Sequence, residues 1–193
     1  MYKLVLTLLL CLFVPFFCFA QNDNDYNFSI ADGKIIWQRV FQDSRDFAEI
    51  CDVAKLSTAF EKVVIKESNI EGSLIPVAAD IKGAGYGYMS ANMLVSNSNL
   101  AANFVLQWKE GRYRVTLIDI GFIGTSLMGV SMGGVFASGI TPGEKTSIDT
   151  FLRKNGKIKA AFFASNAAAI LDYTFTSIFL MKQKKSAALD SDF

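Results

Sequence analysis

The stretch from Leu100 to Asp119, LAANFVLQWKEGRYRVTLID, constrains the fold of this chain more than any other: two β-rich runs flank Glu110-Gly111. Glycine at the second turn position accepts the positive φ that a tight hairpin needs. A two-residue turn sets Trp108 against Tyr113, Leu106 against Val115 and Phe104 against Leu117, all on one face. The opposite face pairs Lys109 with Arg112, Gln107 with Arg114 and Val105 with Thr116. Such a hairpin belongs to an antiparallel sheet with one face in a core and the other wet at the turn end. Lys109, Arg112 and Arg114 are the concentrated basic patch that lies near an aromatic pair. They read either as a solvated sheet face or as a surface for an anion or partner.

The flanking sequence supplies the other elements. GKIIWQRVF, Gly33 to Phe41, is a strand introduced by the turn-like Ala31-Asp32-Gly33; Trp37 alternates along it with Arg39 and Phe41, facing either core or partner. Asp43 or Ser44 caps a helix running to about Ala59, with Phe47, Ile50, Cys51, Ala54 and Leu56 apolar. Phe60 to Lys66 is β-rich, Ser68-Asn69 is turn-like, and Ile70 to Ala79 resumes as a strand in which Pro76 marks an edge or bulge. GAGYGYM, from Gly83, is a short strand candidate, and Ser96 to Asn99 is a polar link. Ser147 opens a short helical piece that Asn155-Gly156 interrupts. From Lys157 to about Lys182 apolar residues recur at helical spacing, and Lys182, Lys184 and Lys185 complement the negative helix end.

Between these parts, Ile120 to Gly143 holds no charge and is rich in Gly, Ser and Met. Three readings stand: a strand end running into an apolar loop, a membrane-inserting segment, and a glycine-rich ligand loop. Gly129 and Gly133 fit the G-x-x-x-G spacing of packed membrane helices, and GVSMG around Ser131 fits the G-x-S-x-G nucleophile elbow. The chain contains no histidine, so no imidazole can take the Ser131 proton, and a dyad would require a desolvated lysine such as Lys145. Serine hydrolysis is therefore the third-ranked function, and no catalytic residue, cofactor or metal is assigned. Residues 160–181, charged only at Asp172, could form a second membrane leg, although Asn166 and Asp172 favour a helix laid on a sheet.

The ends carry a different message. Met1 to Ala20, with Lys3 followed by an apolar run, has the layout of a secretory signal peptide. Lipidation at Cys18 would need a small residue before it, where Phe17 is bulky. Removing residues 1–20 takes Cys11 and Cys18 with it and leaves acidic and basic side chains in equal number, which disfavours nucleic acid as a partner. Cys51 is then alone, read as a buried small hydrophobe. One domain over residues 21–182 and a flexible tail over 183–193 complete the expected organisation.

The motifs GKIIWQRVF, SRDFAEICDVAKLSTAF, KVVIKESNIEGSL and WKEGRYRVTLIDI together resemble a family of small exported proteins, mostly from Bacteroidetes, built on a domain of unknown function with a TATA-binding-protein-like fold. The resemblance covers about residues 27–121 and more loosely the final helix. It implies an α+β fold in which one sheet face is covered by an N-terminal-half helix and a long C-terminal helix, with no catalytic residues to carry over. The uncharged insert departs from the shorter connection of the family. The expected function is a non-enzymatic periplasmic, envelope-associated or secreted module that binds a protein or cell-envelope partner. The rival is a membrane-associated protein anchored through 120–143, with 160–181 as the second leg.

Overall fold

The computed structural model describes residues 26–125 and 142–181. Strands β1 (Phe28–Ala31) and β2 (Lys34–Gln42) form a hairpin across Asp32-Gly33, both at positive φ. That turn twists with its strands, so a tripeptide that reads as the entry to one strand in fact joins two. Helix α1 spans Phe47–Leu56; strands β3 (Phe60–Lys66), β4 (Asn69–Leu74) and β5 (Val77–Ala78) follow, then a short helix α2 (Met93–Ser96). Strands β6 (Ser98–Lys109) and β7 (Arg112–Gly124) form the central hairpin. The chain ends in β8 (Lys145–Ser147), α3 (Ile148–Leu152), the β9 (Arg153–Lys154) and β10 (Lys157–Ile158) hairpin, α4 (Ala160–Ala164) and α5 (Asn166–Phe179). One antiparallel sheet runs in the order β1-β2-β7-β6-β4-β3, with β5 beside β6 and β8 beside β7. The class is α+β.

The β6–β7 register is the expected one along the turn end, from Lys109 opposite Arg112 to Phe104 opposite Leu117. It shifts beyond Ile118, where Asp119 takes φ 52. The inward alternation of β6 is unbroken through Leu100, Ala102, Phe104 and Leu106, whereas on β7 it passes from Tyr113, Val115 and Leu117 to Ile120 and Phe122. The extra residue therefore belongs to β7, and the bulge returns its apolar residues to the core. Ile120 to Gly124, the start of the uncharged insert, is strand paired to β6 and β8; Gly129, Ser131 and Gly133 lie outside the described residues.

Several boundaries move for local chemical reasons. The cap of α1 is Asp46, in a reciprocal capping box with Glu49, because Asp43 is taken by Arg45 through Nε at 2.9 Å and Nη2 at 2.5 Å. The helix stops at Leu56, and the Ser57 hydroxyl then accepts from Ala59 N–H. The β3–β4 turn is Glu67-Ser68, one residue earlier than the sequence suggests, and Asn69 already pairs with Gln107. Gly83 to Met89 is a series of turns rather than a strand: the Asp80 carboxylate accepts from Gly83 N–H at 2.8 Å and Gly85 sits at φ 85. Ser98-Asn99, expected as a link, opens β6.

The expected long C-terminal helix is two helices and a strand. Ser165 takes extended backbone angles, ends α4 and caps α5 by accepting from Ala167 N–H, and Lys157-Ile158 belongs to the small hairpin around Asn155-Gly156. Apolar spacing persists across the break because both helices bury the same side: Phe162 packs on Phe28, and Phe175 and Phe179 on Trp37. All helices share one core with one sheet face, lined by Trp37, Tyr113, Leu106, Phe104 and Ile70. Trp37 therefore faces core. Gly72 on β4 also faces inward, where a Cβ would stand 2.7 Å from the Phe104 ring and 3.1 Å from the Glu61 carbonyl oxygen. Gly72→Val is expected to cost about 2 kcal/mol by overpacking, read as a lower urea midpoint at unchanged slope; a loss below about 0.5 kcal/mol would refute the contact.

Candidate functional site

The face of the sheet away from the helices is crossed by no described element. Register places side chains on it in rows. Gln42, Arg112 and Lys109 form one; Val40, Arg114, Gln107, Asn69 and Lys66 the next; Gln38, Thr116, Val105, Glu71 and Val64 the third. The large apolar side chains exposed here include Val40 at 49%, Val64 at 51% and Ile118 at 41%, and Val40 and Val64 are set among polar neighbours. Gln38 Nε2 donates to Thr116 Oγ1 at 2.8 Å and Lys66 Nζ to Glu71 at 2.7 Å, so the polar side chains of the third row have partners.

The hairpin end is different. Lys109, Arg112 and Arg114 meet there as the sequence suggests, joined by Val40, Ser68, Asn69, Gln107 and Trp108 around an open depression of about 470 Å³. Arg114 is oriented by Gln107, whose Oε1 accepts from Nε at 3.0 Å and also from Nη2. Gln107 is legible from the hairpin register alone. Ser68 and Asn69 enter because β4 pairs with β6, and Val40 because β2 pairs with β7, neither of which a local pattern reveals.

Two polar clusters on the helix side are structural. Asp172 Oδ1 accepts from Trp37 Nε1 and Asn27 Nδ2, both at 2.7 Å, and Arg39 lies 3.6 Å from Oδ2 while donating to Thr176 at 2.7 Å. This ties α5 to β2 and to the residue before β1. At the C-terminal end of α5, Arg45 Nη2 donates to Met181 O at 2.7 Å and the Tyr113 hydroxyl to Phe179 O at 2.6 Å, closing that terminus. The Arg45 guanidinium hydrogen-bonded to Asp43 holds that carboxyl below its usual range, and burial pushes the Tyr113 hydroxyl well above its own. Lysines 182, 184 and 185, expected in that capping role, lie outside the described residues.

Cys51 is a free thiol on the buried side of α1, and desolvation raises its pKa, which keeps the thiol protonated. Lys145, the lysine considered as a base for Ser131, donates to Asp119 at 2.7 Å on an open surface. Among the described residues no three Cys, Asp or Glu side chains gather as metal ligands, and no helix is long and apolar enough to cross a membrane.

No protein-family model and no curated protein matches the chain. Among solved structures it is similar to a TBP-like protein from Parabacteroides distasonis ATCC 8503, 13% identical over 81% of this chain and 97% of that one, with a TM-score of 0.46. A DUF4468 family protein from Bacteroides ovatus ATCC 8483 is 14% identical over 80% of this chain and 84% of that one, with a TM-score of 0.38. Both neighbours are Bacteroidetes proteins of the kind that the sequence motifs resemble.

Proposed function

We propose that this chain is an exported, non-catalytic module that binds a partner or ligand on the open face of its sheet. The observation that carries this reading is the division of the sheet: every described helix packs on one face, while the other presents ordered rows of amides, hydroxyls and charges. Such a face offers fixed hydrogen-bonding groups at low entropic cost to a partner. The chemistry favours binding over catalysis, since the chain lacks histidine, Cys51 is buried and Lys145 is ion-paired. Residues 160–181 are disfavoured as a membrane leg, because their apolar side chains are spent inward: Ile170, Leu171, Phe175 and Phe179 are fully buried.

A photo-reactive residue at Thr116, in the middle of the open face, is expected to give a discrete cross-linked adduct in cells. The same residue at Leu56, 83% exposed on the helix side, should give none. Adducts from neither position, or equally from both, would refute the assigned face. In parallel, the protein should appear without residues 1–20 and be released from membranes by alkaline carbonate; retention on the membrane would replace this reading with the anchored one.

A further inference from the structure

Three of the chain's arginines each sit against an aspartate: Arg39 at 3.6 Å from Asp172, Arg45 at 2.5 Å from Asp43, and Arg153 at 3.8 Å from Asp149. The remaining two, Arg112 and Arg114, have no ion-pair partner among the described residues, and both line the depression at the hairpin end of the open face. Lys109, directly opposite Arg112 in register, has none either. A solvated face needs no such selectivity. Here the two guanidiniums left unpaired are neighbours two positions apart on one strand, and the only side chain that Arg114 engages among the described residues is the neutral amide of Gln107, which aims it without cancelling its charge.

The geometry points to this depression as a site for a phosphoryl group carried on a soluble ligand. The inference rests on the open face being the binding face and adds the chemistry of what it binds. Cα atoms two apart on a strand stand about 7 Å from each other, and residues paired across strands about 5 Å. Three cationic residues therefore stand at the corners of a triangle on one face, around the depression they line. A carboxylate has two oxygens in one plane and a single charge; a phosphoryl group has three terminal oxygens and up to two charges, which suits three donors arriving from different directions. The volume, about 470 Å³, exceeds what the group itself fills and leaves room for the molecule that bears it. The turns beside the depression carry exposed Glu110 and Glu67. An anionic membrane plane would meet those carboxylates, whereas a single group reaching between them meets the cations, so a soluble ligand is favoured over a lipid surface.

The test titrates inorganic phosphate into the full exported chain at constant ionic strength while following the arginine Nε–Hε resonances by NMR. Arg112 and Arg114 are expected to shift saturably, and chloride at equal ionic strength should not reproduce the shift. Arg112→Gln with Arg114→Gln should weaken binding about tenfold or more, equivalent to about 1.4 kcal/mol. Arg114→Lys, which keeps the charge and loses the fork, should fall between. Lys145→Gln, beside Asp119, should bind as the parent does. All these positions are surface residues, and amide dispersion verifies that each variant folds. Linear shifts shared with chloride, or a double variant within twofold of the parent, would overturn the proposal. So would flotation with phosphatidylglycerol vesicles in the absence of any phosphate response. If the Thr116 adduct persists while phosphate fails, the open face stands and only its assigned chemistry falls.

Discussion

Trp37→Ala is expected to lower the stability of this domain by about 4 kcal/mol, within the range for large aromatic truncations in cores. Trp37 is fully buried and contacts three aromatic rings: Phe41 at 6.5 Å, Phe175 at 5.6 Å and Phe179 at 6.4 Å between centroids. Its indole N–H also donates to Asp172 at 2.7 Å, so truncation opens a cavity and removes a donor from a carboxylate whose side chain is only 14% exposed. Trp37→Phe separates the two contributions. It keeps most of the packing and loses the donor, with an expected cost of about 2 kcal/mol, since a hydrogen bond to a charged group contributes about 1.5–3 kcal/mol. Urea denaturation followed by far-UV circular dichroism measures both. A loss below about 1 kcal/mol for Trp37→Ala would mean that the β2–α5 contact does not hold the two layers together.

Arg45→Ala is expected to cost about 3 kcal/mol, the scale seen when one partner of a largely buried ion pair is removed. The guanidinium side chain is 12% exposed, grips Asp43 with two nitrogens and donates to Met181 O at the C-terminal end of α5. A cation there also opposes the negative end of the helix dipole. The variant leaves Asp43 without its partner beneath the hairpin turn, whose Gly111 carbonyl accepts from Asp43 N–H at 3.0 Å. The pH dependence has a definite sign. Because pairing lowers the Asp43 pKa from its ordinary value of 3.8, the parent holds this contribution above that value and loses it as pH falls through the lower folded value. The stability difference between parent and Arg45→Ala should therefore narrow at acid pH, below about 3.8, and be constant near neutrality. A difference that widens on acidification would contradict the assigned pair.

The hairpin LAANFVLQWKEGRYRVTLID shows how far local pattern reaches. Its turn, its register from Lys109 to Phe104 and the division of its side chains between core and solvent all follow from alternation around Glu110-Gly111. The basic cluster follows too, because Lys109, Arg112 and Arg114 share a face by periodicity. Local pattern fails where a side chain's partner is distant in sequence. Asp43 reads as a helix cap but is claimed by Arg45, leaving the cap to Asp46. The regular apolar spacing from Ile158 to Phe179 reads as one helix, since periodicity records which side is buried and is blind to a capping serine that interrupts the backbone at Ser165. Gly83 to Met89 alternates glycine with aromatics as a strand would, yet the Asp80 side chain folds it into turns.

What the sequence by itself determined is the α+β class, the central hairpin and the cations on its wet face, because these depend on periodicities of two and of 3.6 residues and on turn chemistry within a few positions. The absence of histidine likewise bounded the available chemistry from composition alone. Only the tertiary structure decided that Trp37 faces the core, that Asp172 fastens the middle of α5 and Arg45 its C-terminal end, and that Val40, Ser68 and Asn69 turn a basic strand pair into a concave surface. Those outcomes depend on β2 lying beside β7 and β4 beside β6. Such long-range pairings are selected by the burial free energy of the whole core, which no local window contains.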